Sequence, residues 1–220
     1  MINLFLLRHG RTDMNAAHRV QGRADIPLNE MGRNQARIAG EFIRERGIVF
    51  HKVYSSPLVR AVETATLACN VKESDIIKSD DIKEMDFGPI ELMDMDTLPK
   101  EIKDPIFVTP GRGSIPEGVE TFEHMAERSK AFVDMVRREY RNQDINVIGV
   151  SHGALVHSVI SRIMDIPVTE FWDSFMVYNC GLFKIDLNGE DYSCKSDKVT
   201  RILPGFKGGT TTMEMDEVWP

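Results

Sequence analysis

Residues 1–15 read MINLFLLRHGRTDMN. Ile2 to Leu7 contain only Leu, Ile and Phe with a single Asn, and the run then stops at Arg8-His9-Gly10, with Arg11 and Asn15 close behind. A run of this length suits a buried strand and is far too short for a membrane span. It is not a secretory signal, because the basic residues follow the apolar stretch and no small-residue cleavage site appears. A core strand is therefore expected to deliver polar residues at its carboxyl end, which is where open α/β sheets bind ligands.

The rest of the 220-residue chain supports that reading. The length suits one large domain, able to bury roughly 70% of the surface its unfolded form exposes without disulfides or a structural metal. Hydrophobic residues make up 42% and charged residues 28%, as in an ordinary soluble protein. A net charge of −7 disfavours nonspecific binding to nucleic acid or an anionic membrane, while still allowing a local positive pocket. The three cysteines, Cys69, Cys180 and Cys194, have no CxxC or CxxH spacing. They read as reduced thiols of a cytoplasmic protein, without a metal site.

Strand and helix patterns alternate along the chain. Asn29 stands as a cap before EMGRNQARIAGEFIRERG, in which Ala36, Ala39, Phe42 and Ile43 recur at helical spacing and which Gly47 ends. HKVYSS (51–56) is a short strand, and Pro57 opens the helix PLVRAVETATLACN. INVIGV (145–150) is a second apolar run, followed by the helix SHGALVHSVISRIMDI, which stops before Pro167. MVYNCGLFKIDLNG ends in an Asn-Gly turn at 188 and 189, which predicts a hairpin into Tyr192 to Ile202. These elements predict a three-layer α/β fold: a mostly parallel sheet, helices on both faces and one antiparallel edge strand.

Between Asp86 and Gly118 lie five of the ten prolines. The segment 86–118 is too irregular for core elements and too long for a simple connection, so it is expected to form a lid insertion over the sheet. The helix after it presents Phe122, Met125, Ala126, Phe132, Val133 and Val136 on one face. Residues 1–203 then form a single domain, and 204–220, rich in Gly and Thr and then acidic, is expected to be a mobile tail.

Two core strands end in the same chemistry, LFLL in Arg8-His9-Gly10 and VIGV in Ser151-His152-Gly153. Glycine lets a ligand approach the backbone, and the helix after His152 offers free N–H groups. Arg60, in SSPLVRA, follows a third strand. Two histidines and two guanidiniums gathered from three strand ends suit a tetrahedral dianion such as a phosphoryl group. A histidine beside Arg8 and Arg60 should stay neutral and able to attack. A leaving alkoxide then needs a proton donor; Glu84 in KEMDFG is the first candidate, with Asp81, Asp86 and Glu91 as rivals. His157, His51 and His124 read as packed or surface residues, and His18 is open between lining the pocket and facing solvent.

In order, RHGRTDMN, LNEMGRNQA, SSPLVRAVETA, KEMDFG, VSHG and VYNCG resemble the successive motifs of the histidine phosphatase superfamily, the phosphoglycerate-mutase-like phosphatases. The resemblance spans about residues 1 to 187. It implies that His9 is the nucleophile, that Arg8, Arg60 and His152 bind and polarise the phosphoryl group, and that Glu84 is the proton donor. It also implies that Asn15 lies in the phosphate pocket, and that Gln21 and Gly22 match the family's QG pair in the substrate loop; Gly153 opens the anion-facing helix. The implied reaction is metal-independent hydrolysis of a small phosphorylated metabolite through a phosphohistidine, with no cofactor. The alternatives are a phosphoglycerate-type mutase and a phosphate-binding module without catalysis. The chain departs from the family pattern at Arg11 after RHG, at Leu92 in FGPIEL, and at Val119-Glu120-Thr121. The antiparallel edge and tail permit a homodimer without requiring one.

Overall fold

The opening strand runs Ile2–Arg8 (β1) in the computed structural model, which describes residues 1–187 and 197–211. It sits inside a sheet whose other strands are β2 (Lys52–Ser55), β3 (Ile77–Lys78), β4 (Ile145–Ser151), β5 (Leu182–Leu187) and β6 (Lys198–Leu203). The spatial order is β3-β2-β4-β1-β5-β6. The first four strands are mutually parallel, β5 is antiparallel to β1, and β6 is antiparallel to β5 and closes the edge. The Asn188-Gly189 turn expected between β5 and β6, and Cys194, lie outside the described residues.

The helices are α1 (Asp13–Ala16), α2 (Glu30–Glu45), α3 (Val59–Cys69), α4 (Lys100–Lys103), α5 (Phe122–Glu139) and α6 (Gly153–Ile163). Asn29 caps α2 by accepting from the Gly32 N–H at 2.9 Å, and the Thr121 side chain caps α5 in the same way. The largely apolar character of β1, broken only by Asn3 before Arg8, follows from cover on both faces. Leu4 and Leu6 pack with α5 and α6, whereas Phe5 and Leu7 pack with α2 and α3. β4 divides likewise, Val147 to the first face and Ile148 and Val150 to the second. Leu4, Leu6 and Leu7 have no exposed surface, so truncating one of them to Ala should cost about 2–5 kcal/mol.

The 86–118 segment is irregular but firmly anchored. It contains a 3-10 turn at Gly88–Ile90, α4 and a wide turn at Asp104–Val108. Phe87, Ile90, Leu98 and Ile106 are buried in the same apolar cluster as α5 and α6. The Trp172 indole N–H donates to the Ile106 carbonyl at 2.7 Å, tying the insertion to the chain beyond α6. The start of the expected tail is packed instead of loose. Phe206 is 1% exposed in the cluster under α2 and α3, its N–H bonds to the Asn179 carbonyl, and Gln35 donates to the Thr210 carbonyl. The physical reason is that Phe206 is apolar and fills a place beside Leu203 that the Gly and Thr content of the segment conceals. Residues 212–220 lie outside the described residues.

Candidate active site

The register of β1 against β4 sets Arg8 opposite Ser151, so the next residue of each strand, His9 and His152, emerge side by side with ring centroids 5.2 Å apart. β2 pairs with β4 up to Ser55 opposite Val150, and the chain then turns through Ser56 into α3, whose second residue is Arg60. Three neighbouring parallel strands thus deliver the four side chains to one end of the sheet. A cavity of about 340 Å³ opens there, lined by Arg8, His9, Asn15, Gln21, Gly22, Arg60, Glu84 and Gly153 among others.

His9 is 3% exposed, and its Nδ1 lies 2.6 Å from the carbonyl of Gly10. A carbonyl can only accept, so Nδ1 carries the proton and Nε2 holds the lone pair. Burial pushes the imidazole well below its ordinary range, and the Arg60 and Arg8 cations push it further. The ring is therefore neutral and nucleophilic at Nε2. Its backbone is pinned as well: the Asn179 side chain donates to the His9 carbonyl at 3.0 Å, and the Gly10 N–H donates to Thr64 Oγ1 at 3.0 Å.

His152 has the opposite tautomer. Arg60 Nε donates to its Nδ1 at 3.2 Å, and its Nε2 faces Ser56 Oγ at 2.8 Å. It is fully buried, is not among the cavity-lining residues, and burial followed by the Arg60 charge lowers its pKa strongly. Both ring nitrogens of His152 are engaged within the protein, Nδ1 by Arg60 and Nε2 by Ser56. Through Nδ1 it holds the Arg60 guanidinium.

Arg60 is a fully buried cation held by neutral acceptors. Nη1 donates to the Ala24 carbonyl at 2.8 Å and Nη2 to the Gly22 carbonyl at 2.6 Å. The amide of Gln21, with oxygen toward the guanidinium, accepts from Arg60 Nε at 2.9 Å and Nη1 at 3.1 Å while donating to Thr12 Oγ1. Burial lowers the Arg60 pKa to about 10, opposed by the carboxylates of Glu84, Asp25 and Glu91. Arg8 donates through Nη1 to the Val177 carbonyl at 2.6 Å, and its Nε is buried without a hydrogen-bond partner among the described residues. A buried N–H left open on a guanidinium suits an incoming anion.

Of the four carboxylates considered as proton donor, Glu84 is the one that lines the cavity. Its two oxygens lie 3.3 Å from the N–H groups of Leu155 and Ala154 in the first turn of α6. Arg128 fixes the backbone that carries it, donating to the carbonyls of Asp81, Lys83 and Glu84 while bonded twice to the buried carboxylate of Glu120. Asp86 pairs with Arg23 at 3.2 Å. Glu91 has a different task, which its sequence position did not reveal. It accepts from the N–H groups of Arg23 and Ala24, both at 2.7 Å, and so holds the loop whose carbonyls hold Arg60.

Gly22 belongs to that loop at φ +51°, and a Cβ on it would lie 2.0 Å from Glu91 Oε1. The sequence requires glycine there on both counts. Gly10 is needed for another reason than ligand approach, since its Cβ would fall 2.4 Å from the Gly32 carbonyl of α2. Asn15 lines the cavity and closes a capping box with Thr12. His18 is exposed, as are His51 and His124. His157 is packed, as expected, and also lines the cavity. Among the described residues, no group of three His, Cys, Asp or Glu is placed to hold a metal ion, and no helix is long and apolar enough to cross a membrane.

The sequence profile of the histidine phosphatase superfamily (branch 1) matches residues 4–199. The chain belongs to that superfamily. This histidine phosphatase is 31% identical over 206 residues to an uncharacterized phosphatase, PhoE, of Bacillus subtilis, covering 94% of this chain and 99% of the relative. It is 30% identical over 192 residues to a probable phosphoglycerate mutase, GpmB, of Photorhabdus laumondii, covering 84% and 85%. The fold is shared with a phosphoserine phosphatase of Entamoeba histolytica solved with phosphoserine, at a TM-score of 0.76 and 24% identity over 91% of this chain and 95% of that one. The chain is thus an enzyme of the histidine phosphatase type.

Proposed function

We propose that this histidine phosphatase hydrolyses a small phosphomonoester through a phosphohistidine at His9. The observation that carries the reading is the fixed tautomer of His9: Nδ1–H bound to the Gly10 carbonyl, with Nε2 unprotonated beside two guanidiniums. In the first step the Nε2 lone pair forms a bond to phosphorus as the bond to the ester oxygen breaks. Glu84, protonated, gives its proton to the leaving oxygen, and the alcohol departs. In the second step Glu84, now a carboxylate, takes a proton from water. The oxygen attacks phosphorus, the P–N bond breaks and phosphate leaves. Arg8 and Arg60 neutralise the charge on the equatorial oxygens throughout, the part that positioned cations play in phosphoryl transfer. His152, Gln21 and the carbonyls of Gly22 and Ala24 keep the Arg60 guanidinium in place, so it needs no reorganisation as charge develops.

The kinship with probable phosphoglycerate mutases supports a second reading, in which phospho-His9 returns the group to an alcohol instead of water. One experiment separates them. Phosphate release is measured on a panel of phosphomonoesters in EDTA, with wild type and His9→Ala, alongside interconversion of 2- and 3-phosphoglycerate. Release that survives chelation and vanishes in the variant supports the hydrolase. Interconversion with little release favours the mutase, and activity retained by His9→Ala overturns both.

A further inference from the structure

Beyond the phosphoryl end, the cavity wall has a composition of its own. Phe87, Phe107, Trp172, His157 and Phe175 follow one another along it, with successive ring centroids 5.4, 6.3, 5.7 and 3.9 Å apart. The polar atoms of this band are already engaged. The Trp172 indole N–H bonds to the Ile106 carbonyl, and His157 faces the Phe175 carbonyl at 3.0 Å and Ser161 Oγ at 3.2 Å. What the wall offers a ligand is therefore ring faces and edges. The mouth continues the pattern. Met176 lines it and is 51% exposed, and Leu92, Met93 and Val108, also exposed, adjoin or pair with the lining residues Val20 and Phe107. Large apolar residues left in water around one opening mark a binding surface.

We infer that the leaving group this enzyme selects is an uncharged, flat, apolar alcohol, carried on the aromatic wall built by Phe87, Phe107, Trp172 and Phe175. This rests on the phosphomonoesterase reading of the same site and names its substrate class. A sugar or a carboxylated leaving group would lose water here and find no partner on the wall, which costs binding. Among the described residues, Arg19, exposed and bonded to the Leu92 carbonyl at 3.1 Å, is the one cation of the lining outside the Arg8 and Arg60 pair.

Binding is tested apart from turnover with two non-hydrolysable probes of similar length, phenethylphosphonate and carboxyethylphosphonate, by titration calorimetry. The expected result is roughly tenfold to hundredfold tighter binding of phenethylphosphonate, the range that a methylene or ring contributes in an apolar pocket. In Phe107→Ala the preference should fall to within about threefold. Met176→Ser, at an exposed position, should lower it in the same direction if Phe107→Ala does not fold. Equal affinities overturn the inference, and tighter binding of carboxyethylphosphonate overturns it and gives the specificity to Arg19. Hydrolysis of phenethyl phosphate, whose alkoxide is a poor leaving group that needs a proton, is followed separately. Its absence, with phenethylphosphonate still preferred, would remove the hydrolase reading and leave the apolar subsite standing.

Discussion

Replacing His157 with Phe should make the protein weaker at neutral pH and comparatively stronger in acid. His157 is 2% exposed and stacked on Phe175 at 3.9 Å, and burial lowers its pKa from 6.5 to about 4. Between those two values the unfolded chain binds a proton that the folded chain refuses, so stability is lost as pH falls through this window and is fully present above it. The loss is about 1.4 kcal/mol per pH unit, or about 3 kcal/mol over the whole window. His157→Phe keeps the aromatic packing but removes the hydrogen bonds to the Phe175 carbonyl and Ser161 Oγ, at a cost of about 1–3 kcal/mol at pH 7.5. The gap between wild type and variant should then close steadily below pH 6.5, and by pH 4.5 the two should be nearly equal or reversed. Urea unfolding followed by circular dichroism across that range measures it. His9 and His152 are shifted in the same direction and are present in both proteins, so the difference isolates His157. A gap constant within about 0.5 kcal/mol would mean that His157 titrates alike in both states, and would refute the reasoning.

Glu91→Gln removes one carboxylate oxygen from the N–H groups of Arg23 and Ala24, and through that loop loosens Arg60; kcat/KM should fall by roughly tenfold to hundredfold with an unchanged circular dichroism spectrum. Gly22→Ala, forced to φ +51° against Glu91, should lower stability by about 1–2 kcal/mol in urea unfolding and abolish most phosphate release. Glu84→Gln should slow hydrolysis of alkyl phosphates by about a hundredfold or more, and that of nitrophenyl phosphate far less, since a good leaving group needs no proton. Comparable losses on both esters would deny Glu84 the role of acid.

The parts of this molecule that were legible in the sequence are those with a local cause. β1 and β4 announced themselves because each is covered on both faces, and Asn29 and Gly47 bounded α2 through capping chemistry. The pocket at the strand ends followed from them. β3 left no trace, being two residues long and exposed, where no pattern can form. Glu91 read as one acid among several because its partners, the N–H groups of residues 23 and 24, are far away in sequence. Gly10 read as a ligand-side glycine because nothing local pointed to the Gly32 carbonyl. The aromatic wall gathers residues 87, 107, 172 and 175 from segments without periodicity, and only folding reveals them as one surface. The packing of Phe206 was hidden in the same way by its polar neighbours.

The strand that leads into His9 is synthesised well before the two strands that flank it. β1 takes its neighbours from β4, about 140 residues later, and from β5, later still. Until β4 and then β5 have been synthesised, Leu4 to Leu7 lack their flanking strands, and apolar segments left exposed in this way are prone to aggregate. Asn179, which bonds to the carbonyl of His9, arrives in that same late portion. A chain interrupted before it would hold His9, Arg8, Arg60 and Glu84, yet leave the His9 carbonyl without its Asn179 partner. The topology thus makes the assembled pocket depend on segments far apart in the chain, complete only once the residues around Asn179 and β5 are in place.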